Sequence, residues 1–305
     1  MGRRGGSRVP NTGTWERWSH GVICAPMPIH DQSYRRYSGD RVAPGATWGV
    51  IAWAGIREML SLRLFLVVLL FAWLPFVVRA VLLYLSANFP SMDVIAPSAQ
   101  TFRDFFEQQM FFVFVVTVYV GAGLIANDRR ANALQIYLSK PLTRAEYIAG
   151  KLGVLTAFLL LVTWVPAMLL LVLQSMFAGS ITFLRENLFL IPAMTIFAFL
   201  QVLLASFTML ALSSLSNSAR FVGMLYAGSL LFTEAIFQTL RGVTGSTGVS
   251  WVSFSANLAQ LGDIVFRMEP RYATPWGVSL LAMMVLLSVS VWILERRVRG
   301  VEVVT

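Results

Sequence analysis

The chain has 305 residues, of which 57% are hydrophobic and 13% are charged, and its formal net charge is +9. An average soluble domain is about half apolar and about a quarter charged, so this composition excludes an ordinary soluble protein. With the single cysteine Cys24, the chain can form neither an intrachain disulfide nor a cysteine-based metal cluster. Both histidines, His20 and His30, precede the first long apolar segment, which excludes a histidine-ligated site within the membrane.

Two different segments precede the apolar region. Residues 1–44 are rich in Arg, Gly, Ser and Pro without a sustained hydrophobic period, which is typical of a disordered basic arm. In residues 45–63, apolar side chains alternate with Arg57, Glu58 and Arg63. This pattern predicts an amphipathic helix at the membrane interface, anchored by tryptophans. The alternative interpretation is that the segment forms the inner end of the first membrane span.

Six apolar segments follow, each near the ~20 residues needed to cross the hydrocarbon core of a bilayer. They predict an all-α polytopic membrane protein, with a six-span domain over residues 64–299 and a tail over residues 300–305. The predicted spans are residues 64–85, 105–126, 152–177, 188–212, 221–240 and 276–294.

The distribution of Lys and Arg predicts the orientation. With the N-terminus inside, eighteen of the 24 basic residues fall on the inner side of the membrane. Because positive charge accumulates in cytoplasmic loops, we expect both termini to be cytoplasmic. This bias also accounts for the net charge without a nucleic-acid partner. The basic residues at or near the outer side are Arg79, Arg103, Arg185, Arg241, Arg267 and Arg271.

The segment 127–151 is a polar island between the second and third spans. Asp128 is predicted to cap a first short helix, because a carboxylate there faces the positive end of the helix dipole. Ala131, Leu134 and Leu138 then share one helical face.

The same segment carries signals for a turn and a second helix. Pro141 ends the first helix, because the residue before a proline is pushed out of the helical region. Thr143 and Glu146 match a capping box, which starts a second helix that runs through Gly150 and Lys151 into the third span. The prediction is therefore a helix, a sharp turn and a second helix that enters the membrane.

These residues resemble the loop between the second and third spans of type-2 ABC exporter permeases. The matching features are an acidic residue, a short helix ending in Leu-Ser-Lys-Pro-Leu-Thr-Arg, then Glu-Tyr and Gly-Lys. The chain has Asp128 where family members often have Glu, and Asn132-Ala133 where they often have Gly-Thr. The alternative is an ordinary basic cytoplasmic loop. The coupling residues that the resemblance implies are Asp128, Arg129, Arg130, Leu134, Tyr137, Leu138, Ser139, Lys140, Pro141, Leu142, Thr143, Arg144 and Glu146.

The resemblance implies a permease subunit in the bacterial cytoplasmic (inner) membrane that exports an unidentified apolar or amphipathic substrate. Its expected partners are two copies of an ABC ATPase subunit, a second permease copy or a paralogue, and membrane lipid. Gly150-Lys151 lacks the glycine-rich turn of a phosphate-binding loop, so we expect ATP and Mg on the ATPase, and no catalytic residue, cofactor or metal here. The alternative is an ATPase-independent secondary carrier or a membrane assembly scaffold.

Polar side chains within spans are costly and often functional, so Arg79, Gln201, Glu234 and Gln238 form a candidate translocation path. The alternatives are that Arg79 snorkels towards the interface, that Glu234 contacts the predicted outer helix, and that Glu234 makes a polar contact with Arg79 or Arg241.

Two further patterns concern packing. Small residues in the second span, including Gly121 and Gly123, predict close helix approach. Apolar residues at helical spacing within 250–268 predict a short outer helix, either re-entrant or lying on the surface.

Overall fold

A computed structural model describes residues 47–88, 98–133, 143–177, 185 and 187–298 of the chain. The regular structure of these residues is helical throughout, without a β-strand. They contain six helical segments that are long and apolar enough to cross a membrane, so the prediction of a multi-pass all-α membrane protein is confirmed. These segments, called spans 1 to 6, are Arg63–Asn88, Ala99–Arg130, Arg144–Phe177, Leu190–Leu215, Ala219–Thr244 and Trp276–Arg297.

Spans 2 and 3 are longer than their apolar stretches indicate, with 32 and 34 residues. At about 1.5 Å per residue they reach roughly 50 Å, well beyond the ~30 Å hydrocarbon core. Hydropathy marks only the lipid-facing part of a helix, whereas the backbone hydrogen bonds continue to the nearest cap or turn. The predicted basic arm and tail lie outside the described residues.

Spans 1 and 3 are each interrupted once. Span 1 consists of the helices Arg63–Ala72 and Leu74–Asn88, and span 3 of Arg144–Val162 and Trp164–Phe177. A proline follows each break by two or three residues, Pro75 in span 1 and Pro166 in span 3. Because proline has no backbone N–H, each leaves a carbonyl of the preceding turn without its helical donor.

Gln109 of span 2 joins these two breaks. Its side chain is fully buried, and Nε2 donates hydrogen bonds to the carbonyl oxygens of Ala72 at 2.7 Å and Val162 at 2.8 Å. One amide thus supplies donors to two backbone carbonyls that adjoin the breaks and lie away from water. This contact ties span 2 to spans 1 and 3 at the same depth.

Span 2 contains a π-helical turn, Thr117–Gly121, that contacts span 4. A Cβ atom at Gly121 would overlap the Met209 side chain, which confirms the predicted close approach at this glycine. One turn later, Ser213 Oγ accepts from the backbone nitrogens of Ile125 and Ala126 and donates to the Ala122 carbonyl. Span 4 therefore satisfies backbone groups of span 2 next to the irregular turn.

The predicted N-terminal helix forms over Thr47–Ser61 and is separate from span 1. The intervening residue, Leu62, is extended and separates the two helices, while the amphipathic interpretation and the inner-end alternative both remain predictions. The helix packs on span 3 through small residues. A Cβ at Gly150 would meet the Ile51 side chain at 2.7 Å, and one at Gly55 would meet Val154 at 2.6 Å. Its location at the membrane interface stays a prediction.

A short helix, Phe254–Val265, forms between spans 5 and 6 and is called the loop helix. Ser253 caps it, since its Oγ accepts from the Ala256 nitrogen at 3.1 Å. Its apolar face is buried against spans 4 and 6 through residues that include Leu258 and Leu261. The predicted helix in this segment is present, and the re-entrant and surface interpretations both remain predictions.

Spans 2, 3 and 4 form the centre of the bundle, with 56% of their most apolar windows buried, against 22% or less in spans 1, 5 and 6. Two apolar cores lie at opposite ends. The end at which spans 2, 4 and 6 finish and spans 3 and 5 begin is called the basic end, after Arg130, Arg144 and Arg297.

The contact between the N-terminal helix and span 3 predicts a disulfide. A Cβ at position 153 would lie 3.3 Å from the Ala52 Cβ, close to the ~3.5–4.5 Å found across disulfides. In a Cys24→Ser background, the double variant Ala52→Cys with Gly153→Cys should therefore form a disulfide after mild oxidation of the purified protein. Maleimide should then label neither cysteine. The control pair Ala54→Cys with Gly153→Cys should stay labelled, because Ala54 is exposed. Equal oxidation of both pairs would contradict this packing.

Candidate functional site

The predicted coupling segment begins at the end of span 2, where Asp128 lies in the last turn of the helix Ala122–Arg130. Its Oδ2 accepts a hydrogen bond from the Tyr147 hydroxyl at 2.7 Å and pairs with Lys151 Nζ at 2.7 Å. The prediction that Asp128 caps the start of a helix is therefore wrong. The physical reason is electrostatic. Lys151 lies one helical turn after Tyr147 in span 3, and its positive charge stabilises the half-buried carboxylate of Asp128.

Span 2 ends at a left-handed residue, Asn132, with φ of 52°. Its nitrogen donates to the Arg129 carbonyl at 3.2 Å, which closes the last turn. Asparagine and glycine are the residues that favour this conformation at a helix C-terminus. Ala131 belongs to this closing turn.

The central part of the segment lies outside the described residues. Its apolar face and proline turn stay predictions, and so do the contacts assigned to Leu134, Tyr137, Leu138, Ser139, Lys140, Pro141 and Leu142.

The chain re-enters the described region at the predicted capping box, which is confirmed. Thr143 Oγ1 accepts from the Glu146 nitrogen at 3.2 Å, and Glu146 Oε2 accepts from the Thr143 nitrogen at 2.9 Å. The second oxygen of the same carboxylate, Oε1, accepts from Thr47 Oγ1 at 2.7 Å. The cap that starts span 3 therefore also holds the first residue of the N-terminal helix.

The basic residues beside the segment differ in their contacts. Arg129 Nη1 donates to the Ser214 carbonyl near the end of span 4. Arg130 and Arg144 are exposed, and neither makes an ion pair with a residue that the structure describes. We use the name loop base for the residues that fasten the two ends of the segment, which are Thr47, Asp128, Arg129, Thr143, Glu146, Tyr147 and Lys151.

The candidate translocation residues lie towards the opposite end. Arg79 is 7% exposed, and it donates from Nη1 to the Thr101 carbonyl at 2.8 Å and from Nε to Gln108 Oε1 at 3.2 Å. Arg79 therefore binds the start of span 2 rather than snorkelling towards the interface.

Glu234 and Gln238 of span 5 form one hydrogen-bonded group. Gln238 Nε2 donates to Glu234 Oε1 at 2.7 Å, while Glu234 Oε2 accepts from the hydroxyls of Ser253 at 2.6 Å and Ser255 at 2.5 Å. The interpretation that Glu234 contacts Arg79 or Arg241 is wrong, because the serines at the start of the loop helix occupy that oxygen.

Gln201 of span 4 is buried and lines a cavity of about 240 Å³ between span 2, span 4 and the loop helix. Its Oε1 has no hydrogen-bond partner within the described part of the chain. Ser255 also lines this cavity, so the structure brings Gln201 close to the Glu234 group. Arg79 is not among the lining residues, and a translocation path through the four candidates stays a prediction.

Sequence reasoning missed a network of charges at the rim of this cavity. Arg103 Nε lies 2.8 Å from Asp263 Oδ1, and Arg103 Nη2 lies 3.1 Å from Glu107 Oε1. Arg271 Nη2 contacts the same two acidic residues at 3.0 and 2.7 Å. Burial raises the pKa of the Asp263 carboxyl, and the Arg103 guanidinium opposes that rise. The i, i+4 spacing of Arg103 and Glu107 was the one available signal in the sequence.

No protein-family model matches the chain, and no curated protein matches it either. Among the described residues, no group of three or more His, Cys, Asp or Glu side chains is placed to hold a metal ion. The case for a function therefore rests on the residues and geometry above.

The Asp128–Lys151 pair gives a test of the loop base. Lys151→Met should lower the free energy of unfolding by about 1–2 kcal/mol, less than the ~3–5 kcal/mol of a fully buried broken pair. The exchange Asp128→Lys with Lys151→Asp should recover most of that loss, because the two opposite charges remain in contact. Thermal unfolding in detergent measures both effects. If the exchanged protein is no more stable than Lys151→Met, the pair does not stabilise the fold.

Proposed function

We propose that this chain is the transmembrane permease subunit of an ABC exporter, whose ATP is hydrolysed by a separately encoded ATPase. The observation that carries the proposal is the loop base, which fastens both ends of the segment between spans 2 and 3. A segment that receives motion from a partner must be stiffly joined to the spans that it moves. The Asp128–Lys151 pair and the Thr143–Glu146 capping box supply such joints.

The loop base connects the segment to more than its own two spans. Glu146 extends the contact to the N-terminal helix through Thr47, and Arg129 extends it to span 4 through the Ser214 carbonyl. A displacement of the coupling segment would therefore act on spans 2, 3 and 4 together. In the proposed cycle, ATP closes two ATPase subunits, the segment moves with them, and the spans reopen towards the other side of the membrane.

The polar residues within the spans also support a source of energy outside the membrane. Proton-coupled carriers use relays of carboxylates, whereas Glu234 is held by two serines and a glutamine. A bundle with apolar walls suits an apolar or amphipathic substrate. Further parts of the proposal are pairing with a second copy or a paralogue, cytoplasmic termini, and a location in the bacterial cytoplasmic membrane.

The proposal predicts a separable defect in the coupling segment. Leu134→Asp with Leu138→Asp should leave membrane insertion and pairing intact but abolish retention and stimulation of the ATPase, because both leucines would fill an apolar groove on that subunit. Loss of one buried leucine costs about 2–5 kcal/mol in a well-packed core and less at a partly wet interface. Co-purification with the ATPase and its hydrolysis rate measure the effect.

Ala133→Asp with Ile136→Asp is the matched control, since it adds the same two charges on the opposite face of the predicted helix. It should retain the ATPase. If the two leucine substitutions leave co-purification and hydrolysis unchanged, the coupling proposal fails, and a secondary carrier or an assembly scaffold becomes the better interpretation.

A further inference from the structure

A second and larger cavity lies at the basic end of the bundle, between the beginning of span 3 and the end of span 6. Its volume is about 720 Å³, and span 4 forms its floor at Phe207. Ile148 and Leu152 of span 3 form one wall, and Val291 of span 6 lies opposite. We call it the span 3–6 groove. It lies on a different side of span 3 from the Asp128–Lys151 pair, and the cavity beside that pair has a different lining.

The rim of the groove is basic while its walls are apolar. Arg144 and Arg296 are exposed at the rim, and neither pairs with an acidic residue in the part of the chain that the structure describes. Glu295 also lines the rim and is exposed. Two cations and one carboxylate leave an excess of positive charge directly above an apolar surface.

The position of each arginine favours an anionic ligand. Arg144 is the first residue of the span 3 helix, where the helix dipole disfavours a cation and favours an anion. The Arg296 guanidinium lies over the Trp292 ring, 4.3 Å from its centroid. Stacking on an aromatic face holds a guanidinium in place and leaves its N–H edge available to bind a phosphate.

We propose that the span 3–6 groove binds one anionic phospholipid from the surrounding leaflet. Its phosphate lies between Arg144 and Arg296, and an acyl chain lies along Ile148, Leu152 and Phe207. A phospholipid matches both the basic rim and the apolar walls of the groove, because it has a negative headgroup joined to an apolar chain. A free phosphate would leave the apolar walls uncovered. Basic pockets between spans and interfacial tryptophans are both typical of lipid contact.

This lipid site does not depend on the ATPase, although it lies beside the coupling segment. Arg144 follows the capping threonine, so a bound phosphate would contact the first turn of span 3. The lipid would then help to position the helix that the loop base also holds.

The test uses the purified full-length chain without the ATPase, in a mild detergent. Native mass spectrometry would measure the apparent affinity of the first bound phosphatidylglycerol and of the first bound phosphatidylcholine. The unsubstituted chain should prefer phosphatidylglycerol. Arg144→Gln and Arg296→Gln should each weaken phosphatidylglycerol binding about fivefold, as expected for one basic residue at a lipid surface. Arg297→Gln is the matched control, because it removes an adjacent exposed charge that does not line the groove, and it should change the affinity less than twofold.

Two further measurements distinguish binding of a lipid from binding of a free anion. Ala149→Trp adds a bulky side chain to the exposed wall without changing the charge, and it should block phosphatidylglycerol binding. Glycerol phosphate at the same concentration should not compete. The proposal is overturned by equal affinity for the two lipids, by equal weakening in Arg296→Gln and Arg297→Gln, by full binding in Ala149→Trp, or by effective competition from glycerol phosphate.

Discussion

Backbone polar groups inside an apolar bundle must find their partners within the protein, and this constraint determines how the central spans fit together. Prolines interrupt spans 1 and 3, and Gln109 donates to a carbonyl at each interruption, those of Ala72 and Val162. Ser213 meets the same requirement in span 2 just after its π-helical turn. The irregular turns of three spans are therefore linked to polar side chains of their neighbours.

At each end of the bundle, ion pairs and side-chain hydrogen bonds join neighbouring helices. At the basic end, Asp128 pairs with Lys151, and Glu146 joins the start of span 3 to Thr47. At the opposite end, two arginines and two acidic residues join span 2 to the loop helix, with Asp263 almost fully buried. Apolar packing fills the region between these ends. Each end of the bundle therefore has its own set of polar contacts, and each set connects several helices.

The basic end carries both of the activities that we propose. The coupling segment leaves and rejoins the bundle there, through Asp128 and Thr143, and the span 3–6 groove opens beside it. Arg144 stands between the two, since it starts span 3 and lines the groove. The N-terminal helix packs on the other side of span 3 through Gly150, so that the beginning of span 3 contacts protein on one flank, while Ala145 and Ala149 are exposed on another.

The sequence by itself determined the six spans, the loop helix, and the capping box of Thr143 and Glu146. These features depend on hydropathy and on contacts between near neighbours, such as the three-residue separation of the capping pair. Only the tertiary structure decided that Asp128 pairs with Lys151 instead of capping a helix, and that Glu234 binds serines nineteen and more residues away. A polar side chain in an apolar bundle takes whichever partner the packing of helices brings within reach, and local sequence carries no record of that choice.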